Sequence, residues 1–457
     1  MKRKAIVLIV LVLLVLALPI SNLLTGLPAN SLTKAKVDDA QYAKVLMIIG
    51  QKCANCHSTE ADRPFYAALP VAKQIVEQDI RAGTLELNYL ESLLPQNNQP
   101  ISEVVLAKTE QVFLDGSMPP TPYVALHWNA VLSGDEKKTV LDWIRNVRAK
   151  HYMVAGVAAE FQNDAVQPLP EKPDLDARKV ALGDKLYHDK RLSKDNSLAC
   201  AGCHALDKGG TDQSQFSKGV AGQMGGINAP TTFNAGFHFK QFWDGRAATL
   251  ENQADGPPNN PIEMASNWPE IIGKLKQDAE LTKEFTAVYP QGYSKETITE
   301  AIATFERTLL TPSRFDKYMR GQTDAITAEE KRGYELFKSH ECATCHVGKA
   351  LGGQSFEKMG RKANYLADRG NRTDADLGCY SVTKREDDRG KFKVPTLRNI
   401  AITFPYFHDG TVKELKQAVE YMAKYQLGKT LAAADTDAIV KFLQSLTGEY
   451  NGKPLGK

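Results

Sequence analysis

One pentapeptide pattern, Cys-x-x-Cys-His, occurs three times in this 457-residue chain and uses six of its seven cysteines. Two cysteines at this spacing followed directly by a histidine form the attachment signature of c-type haem. Both thiols bind the porphyrin covalently, and the histidine ligates the iron. The sequence therefore predicts three covalent haem groups. Their attachment residues are Cys53 and Cys56, Cys200 and Cys203, and Cys342 and Cys345, and their proximal ligands are His57, His204 and His346.

Two other uses of a Cys-x-x-Cys pair fit this chain poorly. A zinc site needs further cysteines or histidines in matching pairs, and the remaining histidines form none. A thioredoxin-type dithiol has no need of a histidine directly after its second cysteine. The seventh cysteine, Cys379, stands alone and is interpreted as a packed thiol.

The three motifs are spaced almost evenly, from Cys53 to Cys200 and from Cys200 to Cys342. Even spacing indicates one cytochrome unit per haem, in line with usual domain sizes. The expected boundaries are 1–30 for an N-terminal membrane segment and 31–160, 161–325 and 326–457 for three haem domains.

Helical periodicity of apolar residues dominates the chain. The helices predicted before the second motif include 42–51, 71–81, 101–113 and 135–148. Thr327 and Glu330 have the spacing of a capping box that opens a helix before the third motif. No alternating run predicts a sheet. The fold class is therefore predicted to be mainly α, with three cytochrome c-like haem domains after an N-terminal transmembrane helix.

The amino terminus combines a basic start, Met1–Lys4, with an apolar run, Ala5–Leu24. About 20 apolar residues can span a bilayer as a helix, and basic residues before the run place the amino end in the cytoplasm. A cleaved signal peptide is the alternative, but its apolar core is shorter. We therefore expect a single-pass anchor in a bacterial inner membrane, with the body of the protein in the periplasm. The net charge of +3 gives no reason to expect nucleic acid as a partner.

The sixth coordination position of each iron decides its chemistry. Methionine raises the potential and suits electron transfer, whereas an open position admits a small oxidant. In the first haem domain, Met118 is followed by two prolines that would hold it in a rigid loop, and His127 is the competing ligand. With Met118 as the ligand, this domain would be an electron relay.

From Arg178 to its carboxyl end, the chain resembles the bacterial di-haem cytochrome c peroxidases, to which the methylamine-dehydrogenase maturation enzymes are related. The segments that carry the resemblance are Asn228–Thr231, Phe242–Arg246, Asn260–Met264, Val394–Asn399 and Pro405–Gly410. With its additional haem domain and anchor, the whole chain is similar to the membrane-bound tri-haem peroxidases, including the quinol peroxidases. The family fold is a pair of cytochrome c domains that face each other across a calcium ion.

The resemblance implies roles around the second motif, whose haem corresponds to the peroxidatic haem. Glu263 falls on the family's acid/base carboxylate, and Gln253 falls on its companion, which can hold peroxide by hydrogen bonding. A carboxylate over an open haem can move a proton between the two peroxide oxygens. Trp243 matches the tryptophan that lies between the two haems. Many relatives carry a displaceable histidine where this chain has Val220, so we hypothesise that this haem needs no reductive activation.

The haem at the third motif corresponds to the high-potential haem, and the resemblance implies Met422 as its sixth ligand. Asn228, Thr403 and Pro405 fall on the positions that hold the bridging calcium. An amide oxygen and two carbonyl oxygens suit this ion, because calcium prefers oxygen ligands.

The resemblance therefore implies a membrane-anchored oxidoreductase that reduces hydrogen peroxide to water with electrons from quinol or a small cytochrome c. It leaves a homodimer open. One alternative is a multihaem electron-transfer cytochrome without peroxidase activity. The other is a maturation-type di-haem oxidase that acts on a partner protein, with tyrosine in place of the methionine ligand. Tyr421 and Tyr425 flank Met422, so this alternative stays open at the level of sequence.

Overall fold

The computed structural model describes residues 16–26, 29–60, 65–94, 99–171 and 173–456. The chain divides into two compact units, one that ends at Tyr152 and one that begins at Met153. Both are mainly helical in their described parts, so the predicted helical class is confirmed.

The predicted transmembrane anchor is wrong. Within the described residues, no helix is both long enough and apolar enough to cross a membrane. Of the predicted span, residues 16–25 are helical, whereas 5–15 lie outside the described residues. Asn22 is buried and donates a hydrogen bond to the Leu126 carbonyl at 2.8 Å, so this helix packs on the first unit. The same finding contradicts the expected single-pass location in the inner membrane.

The first unit is a small helical assembly around the first motif. Its helices are residues 16–25, Ser31–Lys34, Ala40–Lys52, Pro70–Glu86, Tyr89–Leu93, Glu103–Asp115, Thr121–Leu126 and Gly134–His151. Helices Ala40–Lys52, Glu103–Asp115 and Gly134–His151 bury a shared apolar cluster that includes Leu46, Leu106 and Ile144. All four helices predicted in this region are present, with ends displaced by a few residues.

The second unit contains the other two motifs. Its helices are Ala177–Tyr187, Cys200–Cys203, Leu250–Asn259, Trp268–Leu275, Ala279–Val288, Lys295–Glu306, Arg314–Met319, Ala328–Ser339, Tyr365–Arg369, Tyr380–Thr383, Leu415–Met422 and Ala433–Ser445. The predicted capping box is confirmed: the Thr327 hydroxyl accepts from the Glu330 N–H at 3.2 Å, and the Glu330 carboxylate accepts from the Thr327 N–H at 2.7 Å.

The same kind of helix–helix crossing occurs twice in the second unit. The helix before the second motif, Ala177–Tyr187, packs against Lys295–Glu306. The helix before the third motif, Ala328–Ser339, packs against Ala433–Ser445. The repetition supports a haem module at each motif. Both modules belong to one compact unit, however, and the boundary at residue 325 stays a prediction.

Each crossing depends on a glycine. A Cβ atom added at Gly183 would lie 2.0 Å from the Ala301 carbonyl oxygen, and one added at Gly333 would lie 2.0 Å from the Ala438 carbonyl oxygen. No side chain fits at that distance, so glycine is what allows the two backbones to meet. The same contact at both crossings indicates that the two modules share one construction.

Two short antiparallel strand pairs complete the second unit. Phe356–Lys358 pairs with Lys391–Lys393, with Phe356 opposite Lys393, and Glu449–Tyr450 pairs with Lys453–Pro454. Strands of two or three residues are too short to show a period of two, which is why the sequence did not predict them. The first pair fixes the position of Lys393.

Candidate haem sites and active site

The histidine of each motif is held in the same way. Its Nδ1–H donates to a backbone carbonyl oxygen, in the pairs His57–Leu87 at 3.0 Å, His204–Gly210 at 3.3 Å and His346–Leu351 at 3.0 Å. A proton fixed on Nδ1 leaves the Nε2 lone pair available, and that lone pair is what binds a metal. Burial lowers the pKa of all three imidazoles, that of His346 to about 4, which favours the neutral form that ligates. The six motif cysteines are free thiols. The residues at each motif therefore fit a covalent haem.

The third motif lines a mostly apolar cavity of about 240 Å³. Cys342, Cys345 and His346 contribute to its wall, and so does Met422, at the end of helix Leu415–Met422. A thiol pair, an imidazole and a thioether around one apolar space suit a haem with histidine and methionine as axial ligands.

Four further predicted residues, Trp243, Asn228, Thr403 and Pro405, line the same cavity. The Trp243 Nε1–H donates to the Asn228 carbonyl oxygen at 2.8 Å. The Asn228 side-chain amide donates to the Ser214 carbonyl at 3.0 Å, so its Oδ1 remains available. Neutral oxygens of this kind suit calcium, which usually takes six to eight oxygen ligands. No cluster of three acidic, histidine or cysteine side chains accompanies them in the described part of the chain, so the calcium site stays a prediction.

The second motif is held by its neighbours. The Tyr187 hydroxyl, fully buried, donates to the His204 carbonyl at 2.6 Å. Glu263 lies in the turn after helix Leu250–Asn259, where its carboxylate accepts from Asn260 Nδ2 at 2.7 Å. Burial raises the pKa of Glu263, although the Asn260 bond opposes the shift. This half-buried carboxyl is therefore more readily protonated than a solvated glutamate.

Electrostatics place the Glu263 carboxylate near the second motif. Burial is the main reason that the pKa of the Cys203 thiol is raised, and the negative charges of Asp212 and Glu263 add to the effect. The Val220 N–H donates to the Glu263 carbonyl at 2.8 Å. The loop that contains Val220 is thus hydrogen-bonded to the turn that carries Glu263.

Gln253 lies on helix Leu250–Asn259 and is half-buried. Within the described residues, its side chain makes no hydrogen bond. Gln253 therefore lies on the helix that directly precedes the Glu263 turn, and no hydrogen bond joins the two side chains.

The first motif has a less complete surrounding. Met118 is 40% exposed and lies in the loop between helices Glu103–Asp115 and Thr121–Leu126. The competing ligand, His127, uses both ring nitrogens: Nδ1–H donates to the Tyr123 carbonyl at 3.0 Å, and Nε2 pairs with the Tyr66 hydroxyl at 2.8 Å. This engagement favours Met118 over His127, and the role of Met118 stays a prediction.

Sequence reasoning missed a buried pair beside the third motif. Lys393 is 4% exposed, lies 2.9 Å through Nζ from His238 Nδ1, and lines the same cavity as His346. Lys393 directly precedes the recognised Val394–Asn399 segment, which was the available signal. A single lysine in a chain rich in lysine shows nothing of its burial.

Comparison with known proteins agrees with this geometry. Residues 177–324 match the di-haem cytochrome c peroxidase family, and residues 10–146 match a haem-binding domain. A cytochrome c peroxidase of Escherichia coli strain K12 is 51% identical over 412 residues, which cover 89% of this chain and 88% of that protein. A cytochrome c551 peroxidase of Nitrosomonas europaea is 44% identical over 300 residues, which cover 65% of this chain and 88% of the relative.

A solved structure supports the fold of the second unit. A MauG-like protein associated with microbial copper homeostasis matches 62% of this chain and 93% of its own, at 29% identity and a TM-score of 0.55. The family match includes the second motif and ends before the third. With half of its residues shared with a peroxidase over most of both lengths, the chain is a haem-containing peroxidase-type oxidoreductase and belongs to the di-haem cytochrome c peroxidase family.

Proposed function

We propose that the chain reduces hydrogen peroxide to water at the second motif, with electrons that arrive through haem groups at the third and first motifs. Haem iron bound at His204 supplies the redox chemistry at an open coordination position. The observation that supports the proposal most directly is Glu263, a half-buried carboxyl with a raised pKa, electrostatically coupled to Cys203.

Glu263 is proposed to move the proton. Reduction of one peroxide to two waters consumes two electrons from the donor and two protons from solvent. Cleavage of the O–O bond also needs a proton to pass from one peroxide oxygen to the other, and a carboxyl near its own pKa can accept and return that proton. Asn260 holds the Oε1 atom, which orients the carboxyl and leaves Oε2 for peroxide. Gln253 is proposed to hold peroxide, because an amide bonds to it without taking up its proton.

Val220 is proposed to leave the second iron open. Its aliphatic side chain offers no ligand, and its N–H is engaged with the Glu263 carbonyl. The resting protein should therefore show a second haem with one protein axial ligand and no requirement for prior reduction. A resting spectrum that assigns two protein ligands to this haem would contradict the hypothesis.

Electrons are proposed to pass from the third motif to the second by way of Trp243. The indole is buried, donates a hydrogen bond to the Asn228 carbonyl, and has its ring centroid 6.4 Å from that of His408. Trp243, Asn228, His408 and Met422 all line the cavity of the third motif. Asn228, Thr403 and Pro405 are proposed to bind calcium at the same place. The haem of the first motif, with Met118 as its sixth ligand, would relay electrons from a small cytochrome c or from a quinol. The homodimer stays a prediction that the mass of the purified protein tests.

Met422 also bears on the maturation-type oxidase. Among the described residues that line the cavity of the third motif, Met422 is present, while Tyr421 and Tyr425 are not. The Tyr425 hydroxyl instead donates to Asp368 at 3.0 Å. This arrangement favours the peroxidase over an oxidase with a tyrosine ligand.

Glu263→Gln tests the proposal. The amide keeps the shape of the carboxyl but cannot carry the proton, so peroxidase turnover should fall by roughly 10²- to 10⁴-fold, the usual contribution of a general acid or base. Turnover is measured with peroxide and either reduced cytochrome c or a quinol analogue, and the haem content per chain is determined by absorbance. The control is Glu280→Gln, at an exposed glutamate of the same unit. Unchanged turnover in Glu263→Gln would contradict the role of Glu263, and a wild-type protein without peroxide turnover would favour an electron-transfer cytochrome.

A further inference from the structure

Lys393 is a buried cation at the cavity of the third motif. It ends the strand Lys391–Lys393, where its backbone N–H donates to the Trp243 carbonyl at 2.8 Å. Its side chain is 4% exposed, lines the cavity with His346, and reaches His238 Nδ1 at 2.9 Å. Burial lowers the pKa of Lys393 to about 7, so the ammonium form is destabilised in the absence of an anion.

No counter-charge accompanies this lysine. Within the described residues, no carboxylate lies within ion-pairing distance of Lys393 Nζ, and its pKa is shifted by burial alone. Two residues earlier on the strand, Lys391 pairs with Asp388 at 3.3 Å. A buried ammonium is costly unless an anion compensates it. The site therefore calls for an anion that the polypeptide does not supply.

His238 adds a second unused donor. Because the Lys393 ammonium donates to Nδ1, the ring proton of the neutral imidazole belongs on Nε2. That atom is buried and has no hydrogen-bond partner in the described structure. The ring is also fixed in place, since a Cβ atom added at Gly353 would lie 2.2 Å from its Cδ2. Lys393 and His238 thus present donors from one wall of the cavity.

We propose that Lys393 and His238 bind the two propionate carboxylates of the haem attached at the third motif, one carboxylate each. A carboxylate accepts a charge-assisted hydrogen bond from an ammonium and a hydrogen bond from an imidazole N–H. Because Lys393 occupies Nδ1, the Nε2–H of His238 points away from the ammonium, so the two donors serve separate carboxylates. A haem carries two such groups, and both side chains line the cavity. The inference rests on the proposed haem at Cys342 and Cys345.

The consequence concerns the reduction potential of that haem. A positive charge beside the haem stabilises the ferrous state, because reduction lowers the net charge of the iron centre. Lys393 therefore adds to the effect of a methionine ligand, which also raises the potential. Replacing the ammonium by an uncharged side chain leaves the propionate uncompensated and lowers the potential.

Lys393→Met in the full-length holoprotein is the test. The midpoint potential of the haem at the third motif, read by absorbance in an equilibrium redox titration, should shift negatively. Lys391→Met is the matched control, because it removes a lysine from the same strand but one with its own carboxylate partner. We expect no comparable shift in the control. Equal potentials in wild type and Lys393→Met, with full haem loading, would overturn the proposal.

Lys393→Arg and His238→Phe extend the test if Lys393→Met loads haem poorly. Arginine keeps the charge and two donors, so loading and potential should return toward wild type. His238→Phe keeps the ring but removes the Nε2 donor, and should lower the potential. The proposal would be overturned if Lys393→Arg lost as much haem loading and potential as Lys393→Met while His238→Phe kept the wild-type potential. Both residues would then contribute to packing alone. Fewer than three haems per wild-type chain would instead contradict the proposed haem count, which separates the two failures.

Discussion

The second and third motifs share a pentapeptide and one compact unit, yet the ionisable side chains buried around them differ in kind. Near the second motif lie carboxyls with raised pKa values, Glu263 and Glu306, the latter raised to about 8 by burial. At the third lie bases with lowered pKa values, Lys393 and His238. The pentapeptide predicts where a haem attaches, and the roles proposed for the two sites, proton transfer at the second and electron transfer at the third, rest on the residues around them.

Glu306 is the more deeply buried of the two carboxyls. It ends helix Lys295–Glu306, is 4% exposed, and its Oε2 atom has no partner in the described structure. Burial is the main reason that the pKa of the Cys200 thiol is raised, and the Glu306 charge adds to it. The acid therefore lies within electrostatic range of the second motif.

The largest expected effect is on the thioether of the third motif. Met422→Leu keeps an apolar side chain of similar volume but removes the sulfur ligand, so the midpoint potential of this haem should fall. We expect a fall larger than about 59 mV, which equals a tenfold change in a one-electron equilibrium. Met359→Leu is the control, because Met359 lines the same cavity. Equal midpoint potentials in Met422→Leu and Met359→Leu would contradict Met422 as the sixth ligand, and with it the proposed difference between the second and third motifs.

A second test concerns the buried acid at the second motif. The pKa of Glu306 is about 8 in the folded chain against an ordinary value of 4.5. The unfolded chain therefore releases this proton at lower pH than the folded chain does. The stability that the group contributes is complete below about pH 4.5 and is lost as the pH rises through about 8, on the order of a few kcal/mol.

Glu306→Gln should flatten this dependence. The thermal unfolding midpoint of the variant, measured between pH 5 and pH 8, should decline less with rising pH than that of wild type. Glu296→Gln, at an exposed position of the same helix, is the control and should keep the wild-type slope. Identical slopes in all three proteins would show that Glu306 is ionised in the folded chain.

The smallest expected effect concerns Trp243, the proposed electron carrier between the second and third motifs. Trp243→Phe keeps an aromatic ring but removes the hydrogen bond to Asn228, so the free energy of unfolding should fall by about 1 kcal/mol. Electron transfer from the third haem to the second should also slow, as measured by stopped-flow absorbance after peroxide is added. Trp268→Phe, which removes an indole bond to Asp255 instead, should leave that rate unchanged. Equal rates in both variants would exclude Trp243 from the electron path.

Much of the site could be predicted because its residues belong to short segments. The motif histidines share one kind of hydrogen bond to a backbone carbonyl. Trp243, Asn228 and Met422 line a single cavity, and their roles stay predictions. The pairing of Lys393 with His238 could not be predicted, because it joins residues 155 positions apart. The anchor prediction was wrong, because among the described residues no helix is both long and apolar enough to cross a membrane.

Asn228 ties together segments that are remote in the chain. Its N–H donates to the His408 carbonyl at 2.8 Å, its carbonyl accepts from Trp243, and its amide donates to the Ser214 carbonyl. One residue thus clamps a loop that follows the second motif, the indole and a segment that precedes Met422. Because one residue bonds all three segments, we expect a displacement of that loop to move the indole as well.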